Sequence, residues 1–336
     1  MMDEDGRAPY VLNDAYPIES VIKVLLDKMD AGVSFEGTTE YSQFLFSETN
    51  PISKATGRLF LTPKSNITAG EYKTPAQKAP ITLKSVLSML ENVYQCYWTI
   101  EGGKLRIEHV RYYMNGGSYN EDASVIGYDL TSLYQKTNNK SWGFGTSKYS
   151  FDKEDMPERY EFEWMDDCTE AFKGAPILVK SKFVKLDKKE KVTVANFSSD
   201  IDYMLANPSN VSSDGFAVIH AVKNADDMYT TRFVLYDYQG SDFYLQNGDL
   251  AFVVLHRYFW RDNMPAHYIT INDDDTPLYC SIQRKKKQTV TFPAGEIEPN
   301  PTLCVKNALG IGNVEKLTLN LCARSIKATL VYDTEQ

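Results

Sequence analysis

The sequence predicts an α+β chain: an N-terminal helix/hairpin α+β module, then mainly antiparallel β domains of barrel- or sandwich-like type, then a C-terminal helix-hairpin unit. Three observations predict it. The first is the stretch 82–112, TLKSVLSMLENVYQCYWTIEGGKLRIEHVRY, which reads as helix, strand, tight turn and strand. The second is the pattern from 157 onward, where short apolar runs rich in β-branched and aromatic residues are separated by charged or Gly/Asn turns. The third is the aromatic content, 22 Tyr and 16 Phe, the composition of extended β surfaces.

Residues 1–16 read as an arm. The α+β module follows over 17–135. Pro17 suits a first helical turn, and Ile18, Val21, Ile22, Leu25, Leu26 and Met29 form an apolar stripe that Asp30-Ala31-Gly32 ends. Val33–Phe35 and Tyr41–Phe46 are expected as short strands, and Leu59–Leu61 as another. That last strand lies between the proline-bearing loops 47–58 and 62–81. Thr82 caps a helix whose apolar positions are Leu83, Val86, Leu87, Leu90 and Val93. Val93–Ile100 and the alternating run from Leu105 to Arg111 are the strands of a hairpin around Glu101-Gly102-Gly103-Lys104, where paired glycines supply positive φ. Asp129–Tyr134 is a short strand or turn.

The mainly β part is placed over 136–295. Its expected strands are 160–164, 176–184, 192–197, 216–222, 230–237, 249–259, 267–271, 279–285 and one ending at Phe292. LDKKEK at 186–191 reads as a charged hairpin tip, and Asp200–Ala206 as a short helix capped by Ser199. The closing unit, 296–336, is expected as a helix from Asn300-Pro301 to Gly310 followed by a hairpin of 314–322 and 326–332.

Composition excludes several function classes. The formal charge of −9 and a pI near 5.1 argue against nucleic-acid binding as the main task, because phosphate contacts need a basic surface, and no nucleic-acid partner is expected. No apolar run is long enough for a membrane span. The N-terminus, MMDEDGRAPYVLNDAYP, lacks the basic start and apolar middle of a leader. The chain is therefore expected to stay in the cytoplasm that makes it, or to have had a leader removed. Cys96, Cys168, Cys280, Cys304 and Cys322 are scattered and odd in number, which fits reduced thiols better than disulfides or zinc. His109, His220, His256 and His267 are also isolated.

Catalytic candidates are weak. Glu161 and Glu163 share one face of a strand, about 7 Å apart by the strand rise. This spacing overlaps that of an inverting glycosidase pair, but alternating acids are also how a solvated strand face reads. Eight acids lie between Asp152 and Asp167, ending on Asp166-Asp167, without the spacing of a calcium loop. Asp273-Asp274-Asp275 suits a polar turn better than a calcium site. Arg284-Lys285-Lys286-Lys287, split between two faces, fits an edge guard or an acidic partner. His256 reads as a strand histidine, and Gly310 and Gly312 as a C-cap and turn. No catalytic residue, cofactor or metal is assigned. The one set singled out for contact is aromatic: Trp142, Phe144 and Tyr149 in an Asn/Ser/Gly-rich connection, with Tyr236 and Tyr238. These rings suit packing on a neighbouring domain, a protein interface, or a surface glycan stacking on flat faces.

Several phrases carry a resemblance: PITLKSVLSMLENVYQCYWTIEGGKLRIEHVRYY at 80–113, DMPERYEFEWMDD at 155–167 with FKGAPI, DYMLANPS with DGFAVI, and LTLNLCARSIKATLVYDTE at 317–335. On these the chain resembles tail-region virion proteins of phages and prophages of gut Bacteroidetes. Its helix-hairpin with GKLRIE is similar to the opening module of tail-hub and baseplate proteins. The resemblance implies a non-enzymatic structural protein assembled in the bacterial cytoplasm into a virion, forming a homo-oligomeric ring with other tail proteins. The competing expectation is a carbohydrate-binding or receptor-adhesion module; a glycoside hydrolase comes last.

Overall fold

The structure is a computed structural model. It describes residues 15–47, 58–69, 80–114, 117–119, 126–131, 150–151, 156–164, 177–180, 184–199, 204, 209, 215–223, 229–230, 232–238, 241–246, 268–270, 279–281, 286–294 and 304–332. In chain order the first elements are β1 (Tyr16–Pro17), α1 (Ile18–Met29), α2 (Gln43–Phe46), β2 (Arg58–Pro63), α3 (Lys64–Ala69) and α4 (Leu83–Tyr94). The hairpin β3 (Cys96–Glu101) and β4 (Lys104–His109), α5 (Val110–Met114), β5 (Ile126–Asp129), β6 (Ser150–Phe151) and β7 (Met156–Trp164) follow. Next come β8 (Ile177–Lys180), β9 (Val184–Val194), β10 (Phe197–Ser198), β11 (Phe216–Lys223), β12 (Tyr229–Thr230), β13 (Arg232–Tyr238) and β14 (Ser241–Gln246). The last are β15 (Tyr268–Thr270), β16 (Tyr279–Ser281), β17 (Lys286–Pro293), β18 (Cys304–Asn307), β19 (Gly310–Asn320) and β20 (Ser325–Tyr332). The chain is thus mixed α and β and rich in strands, and no sheet among the described strands closes on itself.

Two compact units emerge. The first gathers Met1–Glu108, Arg159–Ile177 and Lys189–Arg261; the second gathers His109–Glu158, Leu178–Lys188 and Asp262–Gln336. In the first unit β1, β2, β11 and β10 form one sheet, with β12 on β11. The β2–β11 ladder is antiparallel, from Phe216 opposite Pro63 to Ala221 opposite Arg58, and β10 pairs with β11 in parallel. Ile67, Met204, Ala217 and Ile219 make a core beside this sheet. The α1 stripe buries Ile18, Ile22 and Leu26 at spacings of four, and α4 buries Val86, Met89, Leu90, Val93 and Tyr94 at spacings of three and four. Asp30 ends α1 in the left-handed region with φ 48°. Glu19, buried in the first turn, accepts from Arg58 of β2 and ties helix to sheet.

In the second unit the order β5-β18-β19-β20-β17-β6 makes a six-stranded sheet, parallel between β5 and β18 and antiparallel elsewhere. Its buried face carries Val290, Phe292, Val305, Ile326, Ala328, Leu330 and Tyr332, joined by Tyr128, whose ring lies 5.1 Å from that of Phe292. One buried polar network pins this face. Asn307 donates to Gln288 Oε1 at 2.7 Å and to the Tyr332 hydroxyl at 2.6 Å, and Tyr332 donates to Gln288 at 3.0 Å.

Burial pushes the Tyr332 phenol up to about 12, although the Asn307 hydrogen bond pulls it down. The folded chain therefore holds this proton more tightly than the unfolded chain. The stability it contributes is fully present below pH 10 and is lost as pH rises from 10 through 12. Burial raises Tyr94 and Cys96 in the same direction. Denaturation midpoints should fall over this window, and Tyr332→Phe should make the fall shallower. A slope unchanged by Tyr332→Phe would remove Tyr332 from the account.

Several sequence expectations hold. Thr82 caps α4, accepting from Ser85 N at 3.1 Å while the Ser85 hydroxyl accepts from Thr82 N. The hairpin turns on Gly102 and Gly103 at φ 57° and 77°. Others are corrected. Tyr41–Phe46, expected as a strand, holds the helical turn α2, because Ser42 accepts from Leu45 N and so caps it. Residues 64–69, expected as loop, are α3. Arg111 belongs to α5, not to the second hairpin strand. LDKKEK, expected as a hairpin tip, lies within β9, which runs through 186–191 with Asp187 at φ 65°, and a turn follows at Ala195-Asn196, where Asn196 takes φ 67°. The expected helix up to Gly310 is replaced, over its described residues, by β18, whose Cys304 and Val305 are buried between β5 and β19. The strand expected at 249–259 lies outside the described residues.

Candidate functional site

The stretch 82–112 builds the site. Helix α4 ends on Gln95 in the left-handed region, φ 53°, and its N–H returns to the carbonyls of Glu91 and Leu90. β3 starts directly after that cap. The glycine turn then folds β4 back beside β3. The other side of β4 is occupied by the segment after α1: Ser34 N donates to Gly103 O at 2.9 Å, Leu105 N to Ser34 O at 2.9 Å, and Ile107 N to Tyr41 O at 3.1 Å. Lys104 pairs with Glu40, whose carboxyl that ammonium holds below the usual range. The Ser42 hydroxyl donates to Ile107 O.

The charged centre of this arrangement is Glu108, wholly buried. Its two carboxylate oxygens accept from the backbone N–H groups of Gln43 at 2.8 Å and Phe44 at 3.0 Å, the first donors of α2. Arg106 donates to Glu108 at 3.1 Å and pairs with Glu101 at 3.4 Å. Glu108 is thereby a structural carboxylate, with hydrogen-bond capacity spent on backbone and guanidinium. Cys96 is buried, and burial, seconded by the Glu108 charge, pushes its thiol well up. Burial thus disfavours the thiolate that nucleophilic chemistry needs.

What the hairpin leaves to solvent is apolar. Leu105 and Ile107 of β4 are buried, whereas on β3 Tyr97, Trp98 and Ile100 are exposed, Trp98 at 50% and Ile100 at 53%. Among the described strands β3 pairs with β4 alone. An edge strand is ordinarily guarded by lysine, proline, a bulge or a covering element. Between Cys96 and Ile100 the sequence offers no charge and no proline. Such an edge is chemically fitted to bury aromatic surface against protein.

A second exposed patch lies at the β19–β20 turn of the second unit's sheet. Strands β19 and β20 meet in a four-residue turn, Leu321–Arg324, stabilised where Ala323 N donates to Asn320 Oδ1 at 3.0 Å. Leu319 and Leu321 are exposed, Leu321 at 78%, and so are Cys322, Lys316, Arg324 and Lys327.

Of the contact residues expected from sequence, Trp142, Phe144 and Tyr149 lie outside the described residues. Tyr236 and Tyr238 fall in β13, which pairs antiparallel with β14 and shifts register between Leu235 and Tyr238. Glu161 and Glu163 both lie in β7. Asp166, Asp167, Asp273, Asp274, Asp275, Arg284, Lys285 and His256 lie outside the described residues, while Lys286 and Lys287 open β17, Lys287 pairing with Glu315 at 2.7 Å. Among the described residues no group of three or more His, Cys, Asp or Glu could hold a metal ion, and no helix is long and apolar enough to cross a membrane. Sequence reading missed Trp98 and Ile100. The available signal was that Cys96–Ile100 carries no charge, whereas β4 alternates charged and apolar residues. No protein-family model and no curated protein matches the chain.

Proposed function

We propose that this chain is a non-enzymatic structural protein of a phage virion, a tail hub or baseplate component that joins copies of itself and neighbouring tail proteins in a ring. The observation that carries the reading is the unguarded β3 edge with Trp98 and Ile100, on a hairpin fixed from behind by Glu108 and the 34–42 segment. A rigid apolar edge is what symmetric self-association buries. The resemblance of 80–113 and 317–335 to tail proteins of Bacteroidetes phages supports the same role. In this reading the strand-rich remainder is sandwich- or barrel-like and packs beside its counterparts around the ring. The charge of −9 keeps free subunits dispersed in the bacterial cytoplasm before they enter the virion.

Light scattering over a concentration series, beside negative-stain images, tests it. Discrete oligomers with a central hole are expected. A strict monomer at high concentration, both alone and mixed with the adjacent tail proteins, overturns it.

A second reading, adhesion to a host glycan, is favoured by one feature: an indole half exposed on a strand is a platform on which sugar rings stack. A glycan array showing a specific ligand lost in Trp98→Ala would establish it, and an array without such a ligand would dismiss it.

A further inference from the structure

We infer that copies of this chain join head to tail, the β19–β20 tip of one copy seating on the β3 edge of the next. The inference rests on the ring reading above and names its contact. The two exposed apolar patches lie on different units and carry opposite charge. From 316 to 329 the tip holds Lys316, Arg324 and Lys327 and no carboxylate, in a chain whose total charge is −9. At the surface the hairpin, α4 and the segment 33–47 behind it hold Glu36, Glu40, Glu91 and Glu101 against Lys84 and Lys104, while Arg106 is shared between Glu101 and the buried Glu108. Glu101 closes β3 next to Ile100. Glu91 is exposed in the last turn of α4, the turn that leads into β3.

Self-pairing of like patches is disfavoured. Two β3 edges meeting in parallel register would set Glu101 against its own copy, and two tips would bring Lys316, Arg324 and Lys327 of one copy toward those of the other. Like charges at an interface cost several kcal/mol. Joining tip to edge sets Leu319 and Leu321 on Trp98 and Ile100 and places cations opposite carboxylates. A contact between two different patches of one chain is heterologous, and repetition closes it into a ring if the rotation permits.

The exposed thiol of Cys322 provides the test. Ile100→Cys should place a second thiol across the contact. Oxidation with oxidised glutathione should then give, on a non-reducing gel, a ladder through trimers and beyond, because each copy carries one partner of each kind. The ladder should vanish when Cys322→Ser is added. In a second arm, Arg324→Glu with Lys327→Glu should weaken association at least tenfold, and adding Glu91→Lys should recover at least threefold, with melting temperatures unchanged. Oligomers in solution that give no ladder, or dimers only, overturn this contact and leave the ring reading standing. Monomers at every concentration defeat both. Oligomers insensitive to the charge reversals also overturn it.

Discussion

Glu108→Ala is expected to lower the unfolding free energy by about 3–5 kcal/mol, the range for removing one partner of a buried ionic network. The size follows from what the carboxylate does. It is wholly buried, and its two oxygens take the Gln43 and Phe44 N–H groups, while Arg106 donates to it at 3.1 Å. Alanine would leave two helix-start donors without acceptors, and the buried Phe44 N–H has no route to water. Phe44 also loses its seat against Tyr94, whose ring lies 6.1 Å away. Glu108→Gln keeps the shape but turns one acceptor into a donor facing a donor, so it should fall between wild type and alanine. Denaturant titration of the three proteins decides this; an alanine variant within 1 kcal/mol of wild type would show that Glu108 does not hold α2. The assembly consequence is separable. If the hairpin must be rigid to present Trp98, the alanine variant should associate more weakly even below its denaturation midpoint.

The contrast between α4 and α2 shows what the sequence makes legible. Everything that starts and stops α4 is local: Thr82 and Ser85 cap it, its stripe repeats at three and four, and the Gly102-Gly103 turn after β3 needs only its own positive φ. Those signals sit within a window of a few residues, and the elements stand close to where they were expected, except that α4 takes Val93 and Tyr94 and the first hairpin strand begins at Cys96 rather than Val93. Helix α2 has a local cap in Ser42, but the acceptor for its first donors comes from Glu108, 65 residues from Gln43. No window around 41–46 contains that carboxylate, and the aromatic alternation there favours a strand. The same reason turns the expected C-terminal helix into β18. Cys304 and Val305 are buried because β5, more than 170 residues earlier, runs parallel to them. The exposure of β3 is also non-local. The hairpin pattern establishes that one strand is covered, but the 34–42 segment decides that the covered strand is β4 and leaves Trp98 outside.

Gly215→Ala is expected to cost about 2–5 kcal/mol, the sum of left-handed strain and a forced main-chain shift. Gly215 has φ +94°, and a Cβ built there would lie 2.5 Å from the carbonyl oxygen of Asn196. Both partners in that clash are backbone, and both are anchored. Phe216 N donates to the same Asn196 oxygen at 2.8 Å, and Lys64 N donates to Gly215 O at 3.1 Å. Relief would therefore have to part β10 from β11 or loosen the start of α3 from the β11 ladder, where Phe216 stands opposite Pro63. Either movement disturbs the core of Ile67, Met204, Ala217 and Ile219. Gly32 supplies the control: its φ is +63° and nothing lies within 4 Å of its Cβ position, so Gly32→Ala bears the backbone strain alone, about 1–2 kcal/mol. Thermal or denaturant unfolding of both variants separates the two contributions. Equal losses would mean that the close approach of Asn196 contributes nothing; a Gly215→Ala loss at least 1 kcal/mol larger assigns the difference to the main-chain contact that joins β10 and β11.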